Sequence, residues 1–298
     1  ITLPFKVEGT EMPLAQKHIE KIGSAQVKSA ILLAALNTPG TTVIEEQKLS
    51  RNHTENILNF LGADIKIKKL VKKNLIYLTG QKNLYSFNIQ VPGDPSSAAP
   101  FVIMTLLTPN SELTIKNVNC NSTRIGFIKI LKKMNAKIKI KKLKTKLGEP
   151  IGDIIVKSSK LKPINCPKEL APSAIDEFPL LFILASRIKG ITKFSGISEL
   201  RHKESDRIKK VENGLNQAGI KTKSTIDSIK IYGDPNIGIG KKLKIFSEND
   251  HRIAMSFFCL AKISKIEIEI KNFNTVNTSF PKFLLTMKKI GAKYEIKR

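Results

Sequence analysis

Ser173-Ala174-Ile175-Asp176-Glu177-Phe178-Pro179-Leu180-Leu181-Phe182-Ile183-Leu184-Ala185 runs from a small polar and acidic cluster straight into an apolar segment. Pro179 suits the first turn of a helix, and the acids before it suit the positive end of the macrodipole. The stretch therefore predicts a helix capped by Asp176 and Glu177, and a helix apolar nearly all round is a buried one. The same arrangement opens at Ser24-Ala25-Gln26-Val27-Lys28-Ser29, at Ser96-Ser97-Ala98-Ala99 and at Asp250-His251-Arg252-Ile253-Ala254. Counted from Ser24, Ser96, Ser173 and Asp250, the spacings are 72, 77 and 77 residues. A recurrence of that length is too long for a solenoid of single hairpins and predicts a repeated α/β module.

A second series lies between the first. Amphipathic segments end at Leu61-Gly62-Ala63, Met134-Asn135-Ala136, Gln217-Ala218-Gly219 and Ile290-Gly291-Ala292, each followed by a strand-like run. Gly or Asn at these stops predicts left-handed helix C-caps. Each module then reads helix, turn, strand, polar loop, helix, strand. The first helix (Ala30 to Leu36, Phe101 to Leu107, Pro179 to Ala185) is expected at the centre and the second in an outer layer.

The 298 residues suffice for about two domains. Their 41% hydrophobic and 26% charged residues are those of a globular chain, not a disordered one. No apolar run reaches the roughly 18 residues of a membrane span. Cys120, Cys166 and Cys259 are scattered, which suggests a reducing, cytoplasmic setting and no thiolate zinc site. Neither H-x-x-H nor H-E-x-x-H occurs, and the phosphate loops G-x-x-x-x-G-K-[ST] and G-x-G-x-x-G are missing. The reading is therefore of a protein with no metal and no cofactor.

A formal charge of +26 points first to nucleic acid. Only seven of the 51 basic residues are arginine, however, leaving 44 lysines. Many of these alternate with isoleucine, as in Lys137-Ile138-Lys139-Ile140 and Ile65-Lys66-Ile67-Lys68, where lysine is the wet face of a half-buried strand. Lysine is thus general surface filling, no nucleic-acid partner is expected, and each arginine is a candidate for work that needs a planar fork. A basic nucleic-acid-binding protein is the competing reading from another class.

The polar clusters fall at helix starts, where free N–H groups favour anions. Plain N-capping accounts for Ser24 and Ser50 taken alone. Glu199-Leu200-Arg201-His202-Lys203-Glu204-Ser205-Asp206-Arg207 carries more: seven of nine residues can bear charge, with two of the seven arginines and one of the four histidines. If Lys203 begins a helix, Arg207 at i+4 shares its face and both cations meet one anion. Glu204 stands beside them, its ionisation pulled in opposite directions by cations and burial. His251 reads as a structural histidine rather than a catalyst. Together these features describe an enzyme for anionic substrates, with Asp176 and Glu204 moving protons.

Six strings carry a resemblance to a known family: Ser24-Ala25-Gln26-Val27-Lys28-Ser29-Ala30, Val91-Pro92-Gly93-Asp94-Pro95-Ser96-Ser97-Ala98, Asp176-Glu177-Phe178-Pro179, Leu200-Arg201-His202-Lys203-Glu204-Ser205-Asp206-Arg207, Asp250-His251-Arg252-Ile253-Ala254-Met255 and Thr278-Ser279-Phe280-Pro281. In order, from Ile1 to Lys297, the chain resembles 5-enolpyruvylshikimate-3-phosphate (EPSP) synthase. The form with Ala25 and Lys28 is more similar to the glyphosate-tolerant bacterial class. The resemblance implies a two-domain inside-out α/β barrel, or prism, of repeated βαβαββ units around buried helices. Residues 1–91 would be the last unit of the N-terminal domain and 92–298 most of the C-terminal domain, with a hinge near Val91-Pro92-Gly93-Asp94. The first third of a family member would be missing, which makes the chain a fragment.

The implied reaction transfers the enolpyruvyl group of phosphoenolpyruvate to the 5-hydroxyl of shikimate 3-phosphate and releases phosphate. The partners would be these two small molecules, and the protein a cytoplasmic monomer without membrane contact. By resemblance, Asp176 takes the hydroxyl proton and Glu204 is the carboxylate near the methylene. Ser24, Ala25, Gln26, Ser50, Arg51, Asp176 and Lys203 match the shikimate 3-phosphate site, Ala25 through its backbone only. Gln26, Arg207 and Arg252 match the phosphoenolpyruvate site. Thr278 stands where some members carry a phosphate-binding lysine. The sister transferase acting on UDP-N-acetylglucosamine shares fold and donor and is the nearest alternative.

Overall fold

The computed structural model describes residues 6 and 8–296. Ile1 and Lys297, the two ends of the resemblance, lie outside the described residues. The chain divides into two compact units. The first comprises Ile1–Val91 with Thr145–Pro150, and the second Pro92–Lys144 with Ile151–Arg298.

The first unit runs β1 (Lys17–Glu20), α1 (Ala25–Ala35), β2 (Thr41–Glu46), α2 (His53–Phe60), β3 (Asp64–Lys69) and β4 (Asn74–Thr79), a complete βαβαββ module. Its sheet has the order β1-β2-β4-β3, with β1 parallel to β2 and the rest antiparallel. The parallel pair is the one joined through a helix, as a crossover requires. Leu32 and Ala35 of α1 close a small core with Ile44, Leu58, Ile76 and Leu78. The expectation of a buried first helix fails here. Val27 and Leu33 of α1 remain 44% and 56% exposed. A helix is buried all round only where layers cover every side, and this unit offers α1 one sheet and α2.

The second unit repeats the module three times. α3 (Pro95–Leu107), β5 (Glu112–Asn119), α4 (Gly126–Lys133), β6 (Lys137–Lys146) and β7 (Glu149–Lys157) form the first copy. α5 (Phe178–Ser186), β8 (Gly190–Ser195), α6 (Arg207–Gln217), β9 (Thr222–Ser224) and β10 (Ser228–Gly233) form the next. β11 (Lys242–Phe246), α7 (His251–Ile263), β12 (Glu267–Lys271), a 3-10 turn (Phe273–Thr278) and α8 (Phe283–Lys289) form the last. This copy lacks the closing strand pair among the described residues, so the strand expected after Ile290-Gly291-Ala292 is not formed there. The sheet orders β5-β7-β6 and β8-β10-β9 reproduce β2-β4-β3 of the first unit. In place of an opening strand, Gly93 bridges Val118 and Asn165 bridges Lys193, both parallel, while β11 pairs with β12 in full.

α3, α5 and α7 pack on one another, and each lies against a strand of its own module. Every residue of α5 is buried, and Phe178, Phe182 and Phe194 meet with ring centroids 5.2 to 5.8 Å apart. Helices inside and sheets outside is the inverse of a common α/β barrel, and it follows from first helices that have no polar face. Lys137, Lys139, Lys66 and Lys68 are exposed while Ile138 and Ile65 are buried, as the alternation predicts. Ile140, however, is only half-buried and Ile67 is 40% exposed, so the dry face of β3 does not extend past Ile65.

All four stops of the second helices adopt the expected cap. Gly62, Asn135, Gly219 and Gly291 have φ of 83°, 71°, 86° and 92°. The next N–H in each case reaches back five residues: Ala63 to Leu58, Ala136 to Leu131, Ile220 to Leu215 and Ala292 to Met287, at 2.9 to 3.0 Å. These are Schellman motifs, repeated with the module.

Candidate active site

Each unit holds its own group of sequence-predicted residues. In the first, Ser24 caps α1: its hydroxyl accepts from the Val27 N–H at 3.3 Å and faces the Gln26 amide at 3.4 Å. Ala25 opens the helix and Gln26 is exposed beside it. Ahead of the cap, the Glu20 carboxylate accepts from the N–H groups of Ile22, Gly23 and Ser24 at 2.9 to 3.2 Å, which fixes the loop that presents Ser24.

Ser50 does not cap α2, contrary to the N-capping reading. Asn52 occupies that position, and the Ser50 hydroxyl and N–H both donate to Glu46, at 2.6 and 2.9 Å. Arg51 is half-buried just before α2. Lys28 lies in the core at 1% side-chain exposure, its ammonium 2.7 Å from both Glu46 and Glu55. Burial pushes the Glu46 carboxyl up, but the Lys28 ammonium, Ser50 and Asn74 outweigh it and hold it below the ordinary value.

The second unit gathers Asp176, Glu204, Arg207 and Arg252 with acids and an arginine that the sequence reading left unplaced. Arg207, the first residue of α6, is the largest fully buried side chain. Its Nε donates to Asp250 at 2.9 Å, Nη1 faces Asp176 at 3.5 Å, and Nη2 donates to Glu204. Asp250 is buried, caps α7 through the Arg252 N–H at 2.9 Å, and accepts from the Ser205 hydroxyl at 2.9 Å. Arg252 follows on the first turn of α7, and among the described residues no carboxylate lies within ion-pair distance of its guanidinium.

Lys203 does not begin the helix. It sits in extended backbone between a 3-10 turn (Ser198–His202) and α6, and its ammonium pairs with Glu199. Lys203 and Arg207 therefore do not share a helix face. The helix starts later because Asp206 takes the cap, accepting from Lys209 at 2.9 Å. Arg201 is structural: it pairs with Asp206 at 2.7 Å and donates to the Ile226 carbonyl.

Asp176 and Glu177 also depart from the capping role. They end a 3-10 turn (Pro172–Glu177), and neither side chain caps α5. Glu177 is buried and accepts from the Ser96 hydroxyl. Burial raises its carboxyl above the ordinary value, with Arg124 and Arg252 opposing. Arg124, in the loop before α4, donates to Asp94 at 2.8 Å and to Ser96 at 2.6 Å and faces Asp176 at 3.6 Å. Asp94 caps α3, and although burial works against its ionisation, Arg124 and the Ser96 N–H hold its carboxyl below the ordinary range. Arg124 and Asp94 were legible only through the scarcity of arginine and the Asp-Pro helix start. Burial and then Arg252 lower the His251 imidazole below its ordinary value.

The family model of EPSP synthase (3-phosphoshikimate 1-carboxyvinyltransferase) matches residues 1–287. The chain belongs to the EPSP synthase family. It is 40% identical over 297 residues to the 3-phosphoshikimate 1-carboxyvinyltransferase of Zymomonas mobilis, covering 99% of this chain and 66% of the relative. It is 44% identical over 290 residues to that of Petrotoga mobilis, covering 96% and 65%. Among solved structures, the EPSP synthase of Acinetobacter baumannii superposes with a TM-score of 0.87 at 40% identity, covering 96% of this chain and 65% of that one. The chain thus spans about two thirds of the length of these family members. Within the family's mixed α/β fold, acids and arginines meet at the starts of α3, α5, α6 and α7. Among the described residues no group of three or more His, Cys, Asp or Glu is placed to hold a metal. No helix of the described residues is long and apolar enough to cross a membrane.

Proposed function

We propose that this chain is the catalytic portion of a 3-phosphoshikimate 1-carboxyvinyltransferase, which joins the enolpyruvyl group of phosphoenolpyruvate to the 5-hydroxyl of shikimate 3-phosphate and releases phosphate. One observation supports it above the rest. Arg252, whose charge acts on Glu177 and Asp94 but which makes no ion pair among the described residues, opens α7 two residues after Asp250, and Asp250 joins Asp176 and Glu204 around the buried Arg207. Arg207 at the start of α6 and Arg252 at the start of α7 make a cationic site for a small dianion in which protonatable carboxylates are already in place.

The chemistry needs a base at the hydroxyl, an acid at the methylene and cations that neutralise phosphate and carboxylate. Asp176 is the base. Glu204 is half-exposed and held through Arg207 and can deliver a proton to the methylene carbon as the hydroxyl oxygen adds to the neighbouring carbon. Phosphate then leaves from the tetrahedral intermediate, the methylene carbon returning its proton to a carboxylate. Arg252 and Arg207 stabilise the charge that gathers on the leaving phosphate and the carboxylate. Lys203, and in the first unit Ser24, Ala25, Gln26, Ser50 and Arg51, serve shikimate 3-phosphate. The two small substrates are the only partners of this reading, and a cytoplasmic monomer is its setting. The family match does not favour the UDP-N-acetylglucosamine transferase.

The test is release of phosphate from phosphoenolpyruvate by the full-length protein, with and without shikimate 3-phosphate. Release that depends on shikimate 3-phosphate and falls by about a hundredfold or more, to a measurable residue, in Asp176→Asn and Arg252→Ala supports the assignment. Unchanged rates in those variants overturn it. Steeply salt-dependent binding of DNA that survives both substitutions would point to the basic nucleic-acid-binding alternative.

A further inference from the structure

Asp94, Asp176 and Asp250 stand at the openings of α3, α5 and α7, the three central helices of the second unit. Arg124 and Arg207 stand at the openings of α4 and α6, the second helices of two successive modules. Arg124 reaches Asp94 of its own module at 2.8 Å and Asp176 of the next at 3.6 Å. Arg207 reaches Asp176 of its own module at 3.5 Å and Asp250 of the next at 2.9 Å. The two arginines meet Asp176 on different oxygens, Arg124 on Oδ2 and Arg207 on Oδ1.

We propose that Asp94–Arg124–Asp176–Arg207–Asp250 is one alternating relay, generated by the repeat of the module, and that Arg124 is a positioning residue for Asp176. The proposal rests on the role of Asp176 given above. Side-chain exposures are 10% for Arg124, 18% for Asp176, 2% for Arg207 and 0% for Asp250, so the interior links are shielded from solvent. Arg124 is itself fixed at its far end, since its Nη2 also donates to the buried Ser96 hydroxyl at 2.6 Å. Ser96 in turn is held by Glu177. With one oxygen faced by each arginine, the carboxylate of Asp176 has a defined plane. Removing Arg124 takes away the cation that faces Oδ2 and loosens the orientation of that plane. A lysine at 124 supplies charge at one point but cannot span Asp94, Ser96 and Asp176 together.

The experiment is a double-mutant cycle in the full-length protein, reading kcat and KM separately. Arg124→Gln is expected to lower kcat by about tenfold or more while KM for phosphoenolpyruvate stays within about twofold, and Arg124→Lys to fall between it and the parent. In an Asp176→Asn background, Arg124→Gln is expected to cost less than about twofold. Equal costs in both backgrounds would overturn the proposal, because a merely structural arginine damages both alike. Should Arg124→Gln fail to fold, the same cycle is read with Arg124→Lys. If the unsubstituted protein shows no shikimate-3-phosphate-dependent turnover, the functional reading falls. The relay is then judged by the crystal structure of Arg124→Lys. A rotated Asp176 carboxylate supports it, and an unmoved one overturns it.

Discussion

Replacing Lys28 with methionine should destabilise the first unit severely, although Lys28 is one of 44 lysines in the chain. Its ammonium is 1% exposed and lies 2.7 Å from Glu46 and from Glu55, which are themselves buried. One cation thus compensates two carboxylates, and Glu55 Oε2 already lacks a hydrogen-bond partner. Breaking a buried ion pair from one side costs about 3–5 kcal/mol, because the stranded charge stays buried. For a unit of this size that corresponds to roughly 15–25 °C in the unfolding midpoint. The chain has no tryptophan, so unfolding is followed by circular dichroism in urea. The pH dependence sharpens the test. Glu46 sits below its ordinary value in the folded protein, so its contribution is present above the unfolded value of 4.5 and lost as pH falls through the folded one. Without Lys28 that carboxyl is buried and unpaired, its folded value rises, and stability falls as pH rises past 4.5. The gap between parent and variant should therefore widen from pH 4 to pH 7. Adding Glu46→Gln and Glu55→Gln should recover much of the loss. A gap below about 1 kcal/mol at pH 7, or one that does not change with pH, would refute the reasoning.

Other outcomes follow from single sites. Arg252→Ala should slow phosphate release by about 10²–10³-fold, read by steady-state kinetics, with little change in the urea midpoint since no ion pair is broken. Glu177→Gln should gain stability on the parent as pH rises from 4.5 towards 8. The parent's raised carboxyl is a penalty that grows once the unfolded chain ionises, and paired thermal melts across that range measure it. Gly233→Ala should cost about 3 kcal/mol or more in urea unfolding, because a Cβ there would lie 2.1 Å from the Ala185 carbonyl and 2.2 Å from that of Ile188. Gly80→Ala should behave alike, since Gly80 makes the same approach to the Ala35 and Thr38 carbonyls in the first unit.

The parallel between Gly80 and Gly233 shows why so much of the fold was legible. Spacing, Schellman stops and apolar first helices are local signals, and each is written again in every module, so agreement among copies replaces the certainty no single copy has. Where copies differ, the reading failed. α1 carries the apolar pattern of α3 and α5 but is half-exposed, because burial depends on what surrounds a helix and not on its own residues. The helix starts misread at Ser50 and Lys203 failed for a nearer reason: Asn52 and Asp206, a few residues on, took the cap positions.

The charged site was half legible, and the missing half is instructive. Scarcity of arginine singled out Arg207 and Arg252, yet nothing local joins Arg124 to Asp94 and Asp176, 30 and 52 residues away. Such pairs exist only once the modules are stacked, which brings the same helix openings together at intervals of one repeat. Lys28 is the opposite case, because its signal was present and unused. It lies on the stripe of α1 that continues through Leu32 and Ala35, at i, i+4 and i+7, so a lysine there had to be buried. A buried lysine requires carboxylates, and Glu46 supplies one while also fixing Ser50. A charged residue out of place in an apolar stripe therefore points to a positioning network as surely as a rare arginine does. The two signals are complementary: the first finds charges the core must hold, the second finds charges the repeat brings together.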